Sequence, residues 1–190
     1  MTINIRCGEK MIVYKLAIAG GKQAGKSAAA QYLAKRLTRK KCYIYFEGLS
    51  RPVCDLGKRF TEEPTEEQIE KIQSFGEDLV SKSIWVDQLE KRIEKTIRYY
   101  KPKNKENSPF ITLVEDLTNK SYYNFLKKAN WDFLLINRPN IETAFKPEDV
   151  TYTLNNSGSL DELKLRLDTI VTKILGDFKC LLSKSTSPPK

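Results

Sequence analysis

The sequence predicts an α/β fold, a mainly parallel sheet with helices on both faces, and three observations lead there. Short β-prone runs alternate with helical segments along the 190 residues. Strands linked by such crossovers pair in parallel. The first strand-to-helix junction is rich in glycine, and the later apolar runs end in acidic or basic residues, which puts polar groups at the carboxyl ends of strands.

The elements follow in order. Met11 to Gly20 (MIVYKLAIAG) is a strand bounded by glycine, and Ser27 to Leu37 is Ala- and Leu-rich with apolar spacing near a helical turn. Cys42 to Leu49 is a second strand after a basic turn, and Pro52 suits the first position of the next helix. Glu62 to Glu70 leads into a helical region in which Ile69, Ile72, Leu79 and Val80 form one buried stripe. A helix from Ile84 to Tyr100 and a polar loop from Lys101 to Ser108 precede the apolar run Phe110 to Val114, which Glu115 and Asp116 close. Ser121 to Ala129 reads as a helix, Trp131 to Asn137 as a buried strand, and Val150 to Leu154 as one more. Ser159 to Leu175 is a final amphipathic helix with Ser159 and Glu162 in capping-box positions. One domain over residues 1–180 is expected, with a disordered tail at 181–190.

Composition removes several chemistries. The chain has no histidine, which excludes His-based triads and general bases. Cys7, Cys42, Cys54 and Cys180 form no C-x-x-C pair, so zinc-ligand spacing is missing. No apolar run approaches the roughly 20 residues of a membrane span. The N-terminus lacks the apolar core of a signal peptide, and a cytoplasmic location is expected. A net charge of +9 suits polyanions, so a nucleic-acid partner stands beside a small-molecule nucleotide; pairing into a homodimer is left open.

Gly20, Gly25, Lys26 and Ser27 satisfy G-x-x-x-x-G-K-[ST]. Such a loop turns tightly and points successive N–H groups at an anion, helped by the positive end of the helix that follows. Gly20, Gly21, Lys22, Gln23, Ala24, Gly25, Lys26, Ser27 and Ala28 are therefore the expected ATP-binding residues of a P-loop NTPase fold. Lys26 reaches the β- and γ-phosphates, and the Ser27 hydroxyl serves Mg²⁺. A carboxylate at the end of a facing strand completes the Mg²⁺ site, and either Glu115 or Asp116 fills that role, since adjacent strand side chains face opposite ways. Positive charge closing over the transferred group comes from Arg92, Arg98, Lys101, Lys103 and Lys105, a lid near residues 92–108.

Separated segments resemble the phage-type deoxynucleoside monophosphate kinases. IQSFGEDLV (Ile72 to Val80) is similar to their Q-x-x-G-T-[DE] helix, and Trp85-Val86 to the W-V that follows. FITLVEDLTN is similar to their strand ending in D-x-R, LLINRPN to R-P-G, and LNNSGSLDELKLRL to N-x-G-S-L-E-E-L. The resemblance spans Lys15 to about Leu175 and implies a nucleoside monophosphate kinase-like fold. It implies ATP with Mg²⁺ at the glycine loop, with Arg138 near the adenine or over the phosphates. The acceptor side carries Glu47, Arg51, Gln73, Glu77, Asp78 and Lys82. Departures gather there: Arg51-Pro52-Val53-Cys54 replaces D-P-[LI]-K, Thr118 replaces the arginine of D-x-R, and Glu70, Ser81 and Lys82 replace others. Arginine forks grip monophosphates. Three functions stay open: a deoxynucleoside monophosphate kinase, a kinase of a hydroxyl such as that of a hydroxymethylated base in DNA, and a nucleotide-binding interaction protein without catalysis.

Overall fold

The computed structural model describes residues 12–49, 65, 67–68, 71, 83–101, 108–118 and 120–185. Their elements run β1 (Val13–Ala19), α1 (Lys26–Arg39), β2 (Tyr43–Gly48), α2 (Ser83–Tyr100), β3 (Phe110–Leu117), α3 (Lys120–Lys128), β4 (Asp132–Asn137), a 3-10 turn (Pro147–Asp149), β5 (Tyr152–Asn155) and α4 (Leu160–Ser185). The strands form one sheet in the order β2-β3-β1-β4-β5. All four pairings are parallel.

Alternate residues of the central strands feed two cores. Leu16 and Ile18 of β1 and Leu134 and Ile136 of β4 pack with Ala29, Leu33 and Leu37 of α1 and with Leu163, Leu167 and Ile174 of α4. Ala17 and Ala19 face the other way, with Phe110 and Val114 of β3, Val86, Leu89 and Ile93 of α2, and Leu126 of α3. Burial on both faces explains why these strands read as continuous apolar runs. The central position of β1 delivers its carboxyl end, and the glycine loop after it, to the middle of one sheet edge.

Several boundaries differ from expectation, and those of α4, β3 and α1 bear on the core and the site. α4 continues past Leu175 to Ser185, so 181–185, read as tail, are helical. Its stripe Leu163, Leu167, Ile170, Ile174 and Phe178 stays buried at helical spacing. β3 does not stop at Val114 but carries Glu115 and Asp116 within the strand to Leu117. α1 begins at Lys26 and reaches Arg39. The expected cap holds: the Glu162 N–H donates to the Ser159 hydroxyl at 3.3 Å. The helices expected from Pro52 and around Ile69 to Val80 lie outside the described residues.

Candidate active site

The chain leaves β1 at Gly20, turns with an Ala24 N–H to Gly21 carbonyl bond of 3.2 Å, and enters α1 at Lys26. Gly25 stands at the N-cap with φ +101 and no side-chain cap. Left-handed backbone there suits glycine, and a Cβ would lie 2.6 Å from Asn156 Nδ2. Gly21 answers a different constraint: a Cβ on it would stand 2.1 Å from the Glu142 carbonyl oxygen. An uncapped helix N-terminus at the mouth of a tight loop presents its first N–H groups to an anion. Ser27 and Ala28 of that first turn are exposed, as are Lys22 and Gln23.

Lys26 is 8% exposed, and its ammonium folds back onto the carbonyls of Gly20 (3.1 Å) and Gly21 (2.7 Å). Burial pulls its pKa below the usual lysine value, while Asp116 and then Glu115 oppose that shift. Both acids thus act on one lysine, although neighbours on a regular strand would diverge. A register break reconciles the two. Ala17 pairs with Val114 but Ala19 pairs with Leu117, so β3 spends one residue more than β1 over this span. Asp116 takes φ 69 at the irregularity. The extra residue cancels the alternation and turns both carboxylates toward the loop.

Glu115 accepts a hydrogen bond from the Ser27 hydroxyl, and burial raises its pKa against that bond. Its Oε2 is buried without a partner. A hydroxyl beside an orphaned carboxylate oxygen fits Mg²⁺, which takes oxygen ligands and retains water and phosphate oxygens in its shell. Among the described residues no group of three His, Cys, Asp or Glu side chains forms a closed metal cage. Ser27 with Glu115 and Asp116 would supply only part of an octahedron.

On the other side of β3, Glu47 closes β2 and pairs in register with Val114. It is 5% exposed, bonded to Arg92 Nη2 at 2.9 Å and to the Tyr45 hydroxyl. Burial, reinforced by Glu47, pushes the Tyr45 pKa up to about 12. Arg92 Nε is buried with no partner. The structure therefore brings Glu47 and Arg92 together, with Arg92 held in α2. Arg98 is a correction. It lies near the end of α2, 81% exposed and paired with Glu94 at 3.8 Å. The adjoining Tyr100 packs on Tyr43 and Phe110, the first residues of β2 and β3. The eight residues of β3 separate that edge from the glycine loop by roughly 25 Å. Arg98 and Lys101 are accordingly carried away from Lys26. Lys103, Lys105, Arg51, Gln73, Glu77, Asp78 and Lys82 lie outside the described residues.

Arg138 follows β4 and donates from Nη1 to the Gln23 carbonyl at 3.1 Å, which places its guanidinium on the loop. The segment after it, Ile141 and Glu142, packs on Gly21. Asn156, just beyond β5, donates from Nδ2 to the Ala24 carbonyl at 2.9 Å. Sequence reading missed this contact. The only available signal was an asparagine placed at the carboxyl edge of a strand in NNSGSL.

No family model and no curated protein matches the chain. Among solved structures it is similar to a shikimate kinase from Acinetobacter baumannii in complex with shikimate, at 13% identity over 87% of this chain and 94% of that one, with a TM-score of 0.50. It also matches an APS kinase from Mycobacterium tuberculosis, at 11% identity over 87% of this chain and 99% of that one, with a TM-score of 0.45. The parallel sheet, the glycine loop and the first likeness establish an α/β P-loop NTPase fold. No helix of the described residues is long and apolar enough to cross a membrane.

Proposed function

We propose that the protein is an ATP- and Mg²⁺-dependent phosphotransferase. The observation that carries this is the convergence of Lys26, Ser27, Glu115 and Asp116 at an uncapped helix N-terminus. Lys26 in its resting position is bonded only to loop carbonyls among the contacts described. Phosphate oxygens replace those carbonyls and, being anionic, favour the charged ammonium that burial disfavours. The amides of the first turn of α1 orient the phosphates, and Arg138 holds the outer side of the loop. Mg²⁺, when bound beside Ser27 and Glu115, neutralises charge on the transferred group.

The acceptor we infer is a deoxynucleoside monophosphate, supported by the segments IQSFGEDLV and LLINRPN. Such an acceptor is anionic at neutral pH and needs no general base, in keeping with a chain without histidine. Glu47 favours a second reading. A buried carboxylate at the acceptor side suits a hydroxyl, for example on a modified base in DNA, whose proton Glu47 would accept. The +9 charge supports a polyanionic carrier for that hydroxyl. Incubation with γ-labelled ATP, Mg²⁺, each deoxynucleoside monophosphate, plain DNA and base-modified DNA separates the two. Label in monophosphates is expected; label in DNA alone would replace the first reading by the second, and label in no acceptor would count against both.

A further inference from the structure

We infer that Asn156 is a positioning residue for the nucleotide loop, acting through the peptide between Ala24 and Gly25. Its amide donates to the Ala24 carbonyl at 2.9 Å. In a trans peptide the carbonyl and the following N–H point in opposite directions. Holding the Ala24 oxygen outward on Asn156 therefore aims the Gly25 N–H away from it, where it adds to the donors at the start of α1. Gly25 is the N-cap, and its φ of +101 leaves this peptide no help from a side-chain cap.

The anchor is itself stiff. The Asn156 N–H donates to the Asn137 carbonyl at 2.6 Å, tying it to β4. The preceding Asn155 offers its backbone carbonyl to Arg166 of α4. The contact is also close: Asn156 Nδ2 occupies the space a Gly25 Cβ would need, at 2.6 Å. The second glycine of the motif is therefore required by a neighbour 131 positions away as well as by its own backbone. A side chain with no phosphate contact thereby sets the direction of one phosphate-binding amide.

The inference rests on the nucleotide-binding reading for one of its two readouts only. Binding of a non-hydrolysable ATP analogue with Mg²⁺ is measured by calorimetry for the unmodified chain, Asn156→Ala, Asn156→Asp, Asn156→Gln and the neighbour control Asn155→Ala. Asn156→Ala is expected to weaken binding about five- to tenfold, the equivalent of one hydrogen bond. Asn156→Asp, which offers no donor and adds a negative charge, weakens it further. Asn156→Gln recovers part of the loss, and Asn155→Ala leaves affinity within about twofold. Hydrogen exchange without nucleotide is the second readout: Asn156→Ala speeds exchange over residues 20–28 and not over β4. Affinity unchanged in Asn156→Ala, or exchange in 20–28 unchanged, overturns the inference. If the unmodified chain binds no analogue, the proposed function fails while the exchange readout still decides the role of Asn156.

Discussion

Replacing Arg92 by alanine tests whether its pairing with Glu47 is a built feature. Glu47 is 5% exposed and Arg92 40%, with 2.9 Å between their nearest charged atoms. A fully exposed pair contributes about 0.5 kcal/mol, and breaking a fully buried one costs about 3–5. With one partner buried and the other partly wet, and with the Tyr45 hydroxyl still bonded to Glu47, Arg92→Ala should cost about 2 kcal/mol. Glu47→Gln removes the charge but keeps much of the shape, and should cost about 1 kcal/mol. Once Glu47 is neutral, loss of Arg92 matters less, so the double variant should lose about 2 rather than 3 kcal/mol. Urea unfolding of the four proteins at neutral pH gives the cycle directly. Additivity within about 0.3 kcal/mol would refute the coupling and return Arg92 to the status of an ordinary surface cation.

If Lys26 holds phosphate as proposed it must be charged to do so, and burial lowers its pKa. Affinity for the ATP analogue should therefore fall as pH rises through that lowered value, before the ordinary lysine range; a flat profile up to pH 10 would contradict this. Glu115 has the opposite shift, so Mg²⁺ dependence of nucleotide binding should weaken as pH falls through its raised pKa, and Glu115→Gln should abolish that pH dependence. Gly21→Ala drives a Cβ to 2.1 Å from the Glu142 carbonyl; a loss of about 2–3 kcal/mol in thermal or urea unfolding is expected, with weaker nucleotide binding.

Local chemistry made much of this legible in advance. The strand before Gly20, the helix after it and the Ser159 cap each depend on residues within a few positions of one another. Glu115 and Asp116 were recognisable as strand-end acids, but their shared orientation was not. It depends on how β3 registers against β1, and no residue near Asp116 announces the extra one. Asn156 acts on Ala24 across the sheet, and Arg92 meets Glu47 only because α2 covers β2 and β3. Arg98 was misplaced for a related reason: the sequence shows a basic helix end but not which sheet edge it approaches. The helical run through 181–185 was hidden by the Ser- and Lys-rich composition of its last turn.

The additional residue in β3 has an electrical consequence. Two carboxylates beside Lys26 put negative charge on the inner side of the loop, while Arg138 stands on its outer side. If the loop takes triphosphate as proposed, a bare nucleotide meets charge of its own sign beside Lys26, while one already wrapped around a divalent cation does not. A slip of one position along a strand would then act as a filter on the form in which the nucleotide is admitted.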